Sequence, residues 1–283
     1  MDMNRTALVR KGARKTVVAL LLAIFCLFMV LPLGWMVSTS LREPLKAFQL
    51  PPSFFPTEFN LTNYRQAFEK VDFFAFIKNS LTVSLSATLF QLAVSSMAAF
   101  AFSRIEFPGR KVLFILFLAS MMIPGQVLSI PRFIVMSKVG LINSHLALIL
   151  PALFSAMAIF LLRQTFKTVP RAYGEAARID GANLWQTIWR VYMPCAKPAY
   201  MSFAVISVSY HWNNYLWPLI VTKSPTNRTL TVGLAIFAKS KEANMQWSNV
   251  CAATLIIILP LLLTFFIMQN QFMNSFVSAG VKE

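Results

Sequence analysis

The stretch Glu175–Pro194, EAARIDGANLWQTIWRVYMP, is half polar and amphipathic, yet long apolar runs flank it on both sides. Pro170, just before it, suits the first turn of a helix, where a proline loses no hydrogen bond. Gly181 suits the left-handed conformation that ends many helices. These signals predict a short helix over Arg171–Asp180.

A second short helix is predicted from Leu184 to Tyr192. Asn183 is a suitable N-cap residue, and Gln186 stands three positions later, as in a variant of the capping box. Pro194 would then end the helix. The apolar residues of this helix recur at helical spacing and form an aromatic face, which we expect to pack against the protein's own membrane spans: Leu184, Trp185, Ile188, Trp189 and Tyr192.

The composition indicates a membrane protein. Of the 283 residues, 57% are hydrophobic and 13% are charged, and the mean hydropathy is +0.62. A soluble domain has about 25% charged residues, so this chain would over-fill a single globular core. The net charge of +16 does not indicate nucleic-acid binding, because Lys and Arg are dispersed among loops rather than gathered in a patch.

Six apolar stretches are long enough to cross a bilayer as helices, which takes about 17–25 residues each. The third contains Pro124, Gly125 and Pro131, so its outer half should be kinked or broken. Pro218 should end or bend the fifth. The predicted fold is all-α, a polytopic membrane protein with one transmembrane domain over residues 1–283, a loop at 170–194, and these spans: 16–38, 80–102, 112–136, 146–162, 199–221 and 250–268.

Basic residues predict the orientation. Lys and Arg are enriched in cytoplasmic loops, above all close to the ends of spans. Five precede the first span, and 15 of the 26 lie on the side of the N-terminus and of loop 170–194. Both termini and this loop should therefore be cytoplasmic.

Catalysis and metal binding are not indicated. The chain has no GxxxxGK[ST], HExxH or GxSxG pattern, and its three cysteines have no CxxC spacing. We therefore predict no catalytic residue, no metal and no bound cofactor. The spans contain almost no Asp, Glu, Lys or Arg apart from Arg132, near the outer end of the third, which disfavours a proton-coupled carrier.

A few polar side chains within the spans are candidates for a solute path, because they are costly facing lipid. Amides and aromatic rings suit a sugar, whose hydroxyls form hydrogen bonds and whose C–H faces stack. An interfacial aromatic belt and helix–helix hydrogen bonds are the alternative explanation. The candidates are Gln91, Gln126, His211, Asn213 and Asn214, with Trp212, Tyr215 and Trp217 nearby.

The motif EAARIDGA, followed by Ile188 and Pro194, resembles the EAA loop of permease subunits of bacterial ABC importers. FLLRQTFKTVPRAYGEAARIDGA (Phe160–Ala182) and WNNYLWPLIVT (Trp212–Thr222) are similar to the carbohydrate-uptake subfamily. The tail FVSAGVKE (Phe276–Glu283) resembles its maltose-permease-like member.

The resemblance implies an assembly in the bacterial inner membrane. It consists of two permease subunits, two ATP-binding subunits that carry ATP and Mg²⁺, and an extracytoplasmic solute-binding protein. The EAA loop would be a coupling helix that docks on the ATPase, and the tail near Ala279–Lys282 would also reach it. The loop residues implied in this contact are Glu175, Ala176, Ala177, Asp180 and Gly181.

The expected function is to form half of the pore for a sugar or related polyol. A glycerol-3-phosphate permease of the same family is an alternative, and a stand-alone carrier or channel is another. A phosphate ester would require a cationic partner, and no buried Arg or Lys is expected to offer one. We therefore favour a sugar or oligosaccharide.

Overall fold

A computed structural model describes residues 2–43, 47, 54–56, 59–70, 72–239 and 247–280. These described residues form helices, turns and loops with no β-strand, which confirms the all-α class. Contacts divide the chain into two compact units. The first comprises residues 1–71 and 237–256, and the second comprises residues 72–236 and 257–283.

The first unit contains helix α1 (Asp2–Ser40) and helix α2 (Thr62–Lys70). The part of α1 from Lys15 to Ser40 is apolar and long enough to cross a membrane, and it includes the predicted span 16–38. Asn63 anchors α2 at the end of α1, because its buried Nδ2 donates to the carbonyls of Ser40 (2.8 Å) and Arg42 (2.7 Å).

The second unit is built around helix α3 (Phe73–Arg104), which begins where the Asp72 carboxylate accepts a hydrogen bond from the Ala75 N–H (3.0 Å). Helices α7 (Ala156–Thr168) and α11 (Lys197–Asn213) pack on α3. Its packed side is rich in small residues, which let helix backbones approach closely. The small buried residues are Ser80, Ser84, Ala87, Ser95, Ser96 and Ala99.

The third predicted span is broken, as Pro124 and Gly125 indicate. Helix α4 (Arg110–Ser120) ends before them, and helix α5 (Ser129–Lys138) begins after a series of turns. The fourth is bent. Helix α6 (Leu146–Ile149) and a following 3₁₀ turn, Leu150–Ala152, make an angle of 44° with α7, which runs on to Thr168 rather than ending at 162.

The fifth predicted span is interrupted between α11 and helix α12 (Leu216–Val221). Pro218 explains the position of this break. A proline cannot donate to the carbonyl four residues before it, and its ring clashes with that carbonyl. Here that residue is Asn214, whose carbonyl accepts from Thr231 Oγ1 instead (2.8 Å). The span is interrupted as predicted, but at Asn214 and Tyr215 rather than at Pro218, which lies within α12.

The chain ends in a 3₁₀ turn (Pro225–Asn227), helix α13 (Leu230–Lys239) and helix α14 (Trp247–Gly280). The sixth predicted span, 250–268, lies within α14. In the described part of the chain, two helices alone are long and apolar enough to cross a membrane, or three if the bent α6–α7 pair counts as one. The tail residues 281–283 lie outside the described residues, so nothing tests the expected contact near Ala279–Lys282.

Loop 170–194 folds into helix α8 (Arg171–Ile179), helix α9 (Leu184–Thr187), a π turn (Ile188–Tyr192) and helix α10 (Met193–Cys195). Gly181 is left-handed (φ +80°), and both hydrogen bonds of the capping box are present. The prediction that Pro194 ends the second helix is wrong. In the π turn before it, the Met193 N–H donates to the Ile188 carbonyl, five residues back. The α-helical hydrogen bonding is therefore already interrupted there, and Pro194 lies within the following helix α10.

Candidate functional site

The first candidate surface is the outer side of α8 and the turn that follows it. Glu175, Ala176, Asp180 and Gly181 are exposed, whereas Ala177 is only 9% exposed and faces inward. The structure thus brings four of the five predicted residues to one accessible segment and places Ala177 beneath them.

Two apolar residues of α8 join this surface without being part of the predicted set. Tyr173 is 54% exposed and Ile179 is 87% exposed. Tyr173, Ala176 and Ile179 follow one another at intervals of three, so successive members are neighbours on the helix surface. This spacing is visible in the sequence and is the signal that could have identified them.

The inner side of the loop rests on Tyr192, which is 2% exposed. Its ring meets Phe100 of α3 and Phe166 of α7 edge to face, with centroids 5.1 and 5.4 Å away. Gly174 of α8 lies above the hydroxyl end of the same ring, where an added Cβ would stand 2.9 Å from the Tyr192 oxygen. A small residue at 174 therefore lets α8 lie directly on Tyr192.

The aromatic face of α9 and the π turn is only partly packed. Ile188 and Tyr192 join the buried cluster of α3, α7 and α11, and Trp189 packs against it. Leu184 and Trp185 are 54% and 50% exposed, so the expectation that the whole face packs inward is wrong for them. The two exposed residues belong to α9, whereas the buried Ile188 and Tyr192 belong to the π turn.

Arg104, in the last turn of α3, lies next to Tyr192. Its Nη2 donates to the carbonyls of Phe166 and Val169 at the end of α7, and its guanidinium carbon lies 5.1 Å from the Tyr192 ring centroid. A hollow of about 450 Å³ opens between this arginine and α8, and Arg171, Glu175 and Arg178 also line it.

The second candidate site is a hollow of about 500 Å³ at the helix breaks of the second unit. Four of the five residues predicted for a solute path line it together: Gln91, Gln126, His211 and Asn214. Asn213 is exposed outside this lining and donates from Nδ2 to the Ser209 carbonyl (2.9 Å). Trp217 also lines the hollow, while its Nε1 donates to the Ala147 carbonyl (3.0 Å).

Gln91 is engaged in holding three chain segments together. Its Nε2 donates to the Ala152 carbonyl at the bend between α6 and α7 (2.8 Å), and its Oε1 accepts from Ser207 Oγ of α11 (2.7 Å). Ser207 also shares a hydrogen bond with Thr88 (2.8 Å). For Gln91, the helix–helix alternative is therefore the better explanation.

The charge of this hollow bears on the expected solute. Arg132 lines it and is half-buried rather than buried, so the hollow has a cation at its border even though no fully buried Arg or Lys of the described chain lines it. None of the described residues of the lining is Asp, Glu or Lys. His211 Nε2 is buried, and no partner in the described residues accepts from it or donates to it. The hollow thus combines one cation with amide, hydroxyl and imidazole groups.

Residues 91–275 match the family model described as the binding-protein-dependent transport system inner membrane component. The chain belongs to this family. It is 33% identical over 250 residues to the lactose transport system permease protein LacG of Rhizobium radiobacter, covering 88% of this chain and 90% of that protein.

Other relatives of this permease carry different solutes in their names. The sn-glycerol-3-phosphate transport system permease protein UgpE of Yersinia enterocolitica is 33% identical over 201 residues, or 71% of this chain and 72% of its own. The arabinooligosaccharides transport system permease protein AraQ of Halalkalibacterium halodurans is 31% identical over 230 residues, or 81% and 82%.

The fold of the permease matches a solved structure over nearly its whole length. That structure is a bacterial ABC transporter involved in the import of the acidic polysaccharide alginate. The TM-score is 0.81 at 25% identity, covering 92% of this chain and 97% of that chain. The resemblance drawn from the EAA motif is confirmed, and the chain has the fold of an ABC-importer permease.

Proposed function

We propose that this permease forms half of the translocation path of an ATP-driven importer for a sugar or oligosaccharide. The observation that carries the proposal is the hollow at the broken spans, in a chain whose family is defined by binding-protein-dependent transport. Within a membrane, non-helical backbone is tolerated only where it is buried in protein or lines a cavity, and solute sites form at such breaks.

Six membrane crossings would be made by α1, α3, the α4–α5 pair, the α6–α7 pair, the α11–α12 pair and α14. The basic residues around loop 170–194 favour a cytoplasmic position for that loop and for both termini. This permease domain would sit in the bacterial inner membrane beside a second permease subunit, with a solute-binding protein on the outer side.

Coupling would occur at α8. The exposed segment that contains Glu175 and Ala176 would dock on an ATP-binding subunit, which holds the ATP and Mg²⁺. The exposed Tyr173 and Ile179 support this role, because a fully solvated helix gains nothing from apolar residues that water surrounds. Closure of the ATPase pair would move α8 and shift the spans between two global states.

A sugar suits the hollow because its lining combines aromatic rings with neutral hydrogen-bonding groups. Relatives named for lactose and for arabinooligosaccharides support a neutral saccharide.

One observation favours a second candidate, an anionic solute. Arg132 offers a guanidinium, which pairs well with carboxylate or phosphate, and no carboxylate lines the described hollow to neutralise it. A relative named for glycerol 3-phosphate and a structural neighbour that imports an acidic polysaccharide are consistent with this candidate.

Uptake by vesicles tests the proposal. The permease is reconstituted with its second permease subunit, the ATP-binding subunits and the solute-binding protein, and uptake of labelled lactose, arabinooligosaccharide, glycerol 3-phosphate and alginate oligosaccharide is compared with and without ATP. ATP-dependent uptake of one of them is expected. Uptake by the permease alone would contradict the proposal and favour a stand-alone carrier or channel.

Arg132→Gln separates the two solute classes. If the solute is anionic, this change should lower uptake at least about tenfold, since a charge-assisted pair is worth about 1.5–3 kcal/mol. If the solute is neutral, uptake should change by less than about threefold. The helix α5 residue Lys138, which is exposed and outside the hollow, gives the control variant Lys138→Gln.

The docking role is tested by Glu175→Lys and Gly181→Pro. Gly181 has φ +80°, which proline cannot adopt, and Glu175→Lys reverses an exposed charge. Both should abolish copurification of the ATP-binding subunit while membrane insertion persists. Gly140→Pro is the matched control, because Gly140 is also left-handed (φ +72°) and its N–H also donates to the carbonyl three residues back (3.0 Å in both). Retained binding in both test variants would rule out docking through α8.

A further inference from the structure

Arg104 and Tyr192 form a joint between the loop that carries α8 and the spans of the second unit. We propose that Arg104 is a positioning residue for transport, which locks Tyr192 so that a displacement of α8 moves α3 and α7 as one body. The inference rests on the proposed docking of α8 on an ATP-binding subunit and goes beyond it, since none of the motif residues of α8 is part of this joint.

The first part of the joint is the link between α3 and α7. The last carbonyls of a helix have no partner within the helix, and cations stabilise that end. Arg104 of α3 provides α7 with both a hydrogen-bond donor and a positive charge, because its Nη2 donates to the Phe166 and Val169 carbonyls. These partners lie 62 and 65 residues away along the chain, so the link fastens two spans that sequence keeps apart.

The second part is the contact with the loop. The same guanidinium lies over the face of Tyr192, 5.1 Å from its centroid, while the edges and faces of Phe100 and Phe166 enclose the ring from the two spans. A cation over a tyrosine ring that is desolvated contributes more than the same pair in water. Tyr192 is thus fixed by α3 and α7 together.

The third part is the seat of α8 on this ring. A Cβ at Gly174 would stand 2.9 Å from the Tyr192 hydroxyl oxygen, closer than such atoms normally approach. If α8 moves toward the spans, it therefore pushes on Tyr192. Tyr192 in turn displaces the side chains that it contacts, which are Arg104, Phe100 and Phe166. Tightly packed side chains transmit a displacement because they shift between alternative packings rather than deform gradually. The joint can therefore transmit motion of α8 to α3 and α7.

Arg163 provides a matched control in the same part of the fold. Its Nε donates to the Phe102 carbonyl of α3 (3.1 Å), and its guanidinium carbon lies 3.8 Å from the Phe114 ring centroid. Arg163 therefore makes the same two kinds of contact as the arginine of the joint, with a backbone carbonyl, here of α3, and with an aromatic ring, here of α4. Neither Tyr192 nor Gly174 is among its contacts in the described residues.

The test uses the complete reconstituted importer and measures solute molecules imported per ATP hydrolysed, beside copurification of the ATP-binding subunit. Arg104→Lys keeps the charge and loses the planar fork, and Gly174→Ala pushes α8 off the ring. Both should lower the ratio about 2- to 30-fold, the range for residues that carry coupling between sites. Copurification should stay within about twofold of the unchanged protein.

Arg163→Lys should leave the ratio within about twofold. An unchanged ratio in Arg104→Lys and Gly174→Ala would overturn the inference. An equal fall in Arg163→Lys would also overturn it, because general loosening of the spans would then explain the loss. If the unchanged protein fails to retain the ATP-binding subunit, the proposed function itself is contradicted, and the inference with it.

Discussion

The joint around Tyr192 and the hollow beside Gln126 use polar groups in opposite ways. At the joint, Arg104 Nη2 donates to two backbone carbonyls and the guanidinium lies over the Tyr192 ring, although Nε has no partner in the described residues. At the hollow, Gln126 is exposed and His211 Nε2 is buried with no partner in the described residues. Both regions lie in the second unit, and both place polar side chains among mainly apolar helices.

This difference teaches which polar groups of a membrane protein are structural. A buried polar group costs free energy unless it is hydrogen-bonded. Groups that are fully paired within the chain, such as Gln91, hold helices together. Groups that are left unpaired beside a cavity, such as His211, are the ones that we propose for contact with a solute. Pairing together with position beside the cavity separates the two roles, because Arg104 Nε has no partner in the described residues either but does not line the hollow beside Gln126.

The largest expected loss of stability comes from removing the Tyr192 ring from the joint. Tyr192→Ala should lower the free energy of unfolding by about 3–5 kcal/mol, since it removes a fully buried aromatic ring that contacts three helices. Thermal unfolding of the purified protein in detergent measures it. Trp185→Ala is the control, because Trp185 is aromatic and in the same loop but half exposed, and it should cost less than about 1 kcal/mol. Equal losses would mean that the joint is no better packed than the loop surface.

The next largest effect is a difference between two glutamines of the hollow, the hydrogen-bonded Gln91 and the exposed Gln126. Gln91→Leu should destabilise the protein by about 1–2 kcal/mol, because Ser207 and the Ala152 carbonyl lose a buried partner. Gln126→Leu should leave the unfolding midpoint unchanged and instead weaken solute uptake. Unfolding and uptake are measured on both variants. The reverse pattern, with Gln126 needed for stability and Gln91 for uptake, would contradict the assignment.

The smallest effect concerns the break at Asn214. Thr231→Val should lower the free energy of unfolding by about 0.6–1 kcal/mol. It removes the hydroxyl that donates to the Asn214 carbonyl, and Pro218 has no N–H to take its place. Thr254→Val is the control, because Thr254 is also half-buried and its hydroxyl donates to the Val250 carbonyl within a regular helix (2.7 Å). A smaller loss for Thr231 than for Thr254 would show that the break does not depend on this contact.

Local signals made much of this structure predictable. The capping box at Asn183, the left-handed Gly181 and the break between α4 and α5 all follow from residues that are close in sequence. The family followed from the EAA motif, whose spacing is specific. Four of the five residues predicted for a solute path share one hollow, because polar residues in spans gather where lipid is absent.

The remainder depends on contacts between distant residues. Nothing near Arg104 in the sequence indicates that it would pair with carbonyls more than 60 residues away. The pairing of Gln91 with Ser207 spans 116 residues, so its structural role could not be separated from a solute-binding one. Trp185 was expected to be buried because it shares the helical spacing of Ile188 and Trp189, and spacing alone does not show at which turn of a helix burial begins.

Cross-linking tests most directly whether α8 docks on the ATP-binding subunit. Cys26, Cys195 and Cys251 are first replaced by Ser, and Ala176, which is exposed on α8, is changed to Cys in the complete importer. A short bifunctional thiol–amine reagent should join Ala176→Cys to the ATP-binding subunit, with a yield that changes when ATP is bound. Leu113→Cys, on the exposed surface of α4, should give no such product. Equal yields from the two positions, or none from Ala176→Cys, would contradict docking through α8.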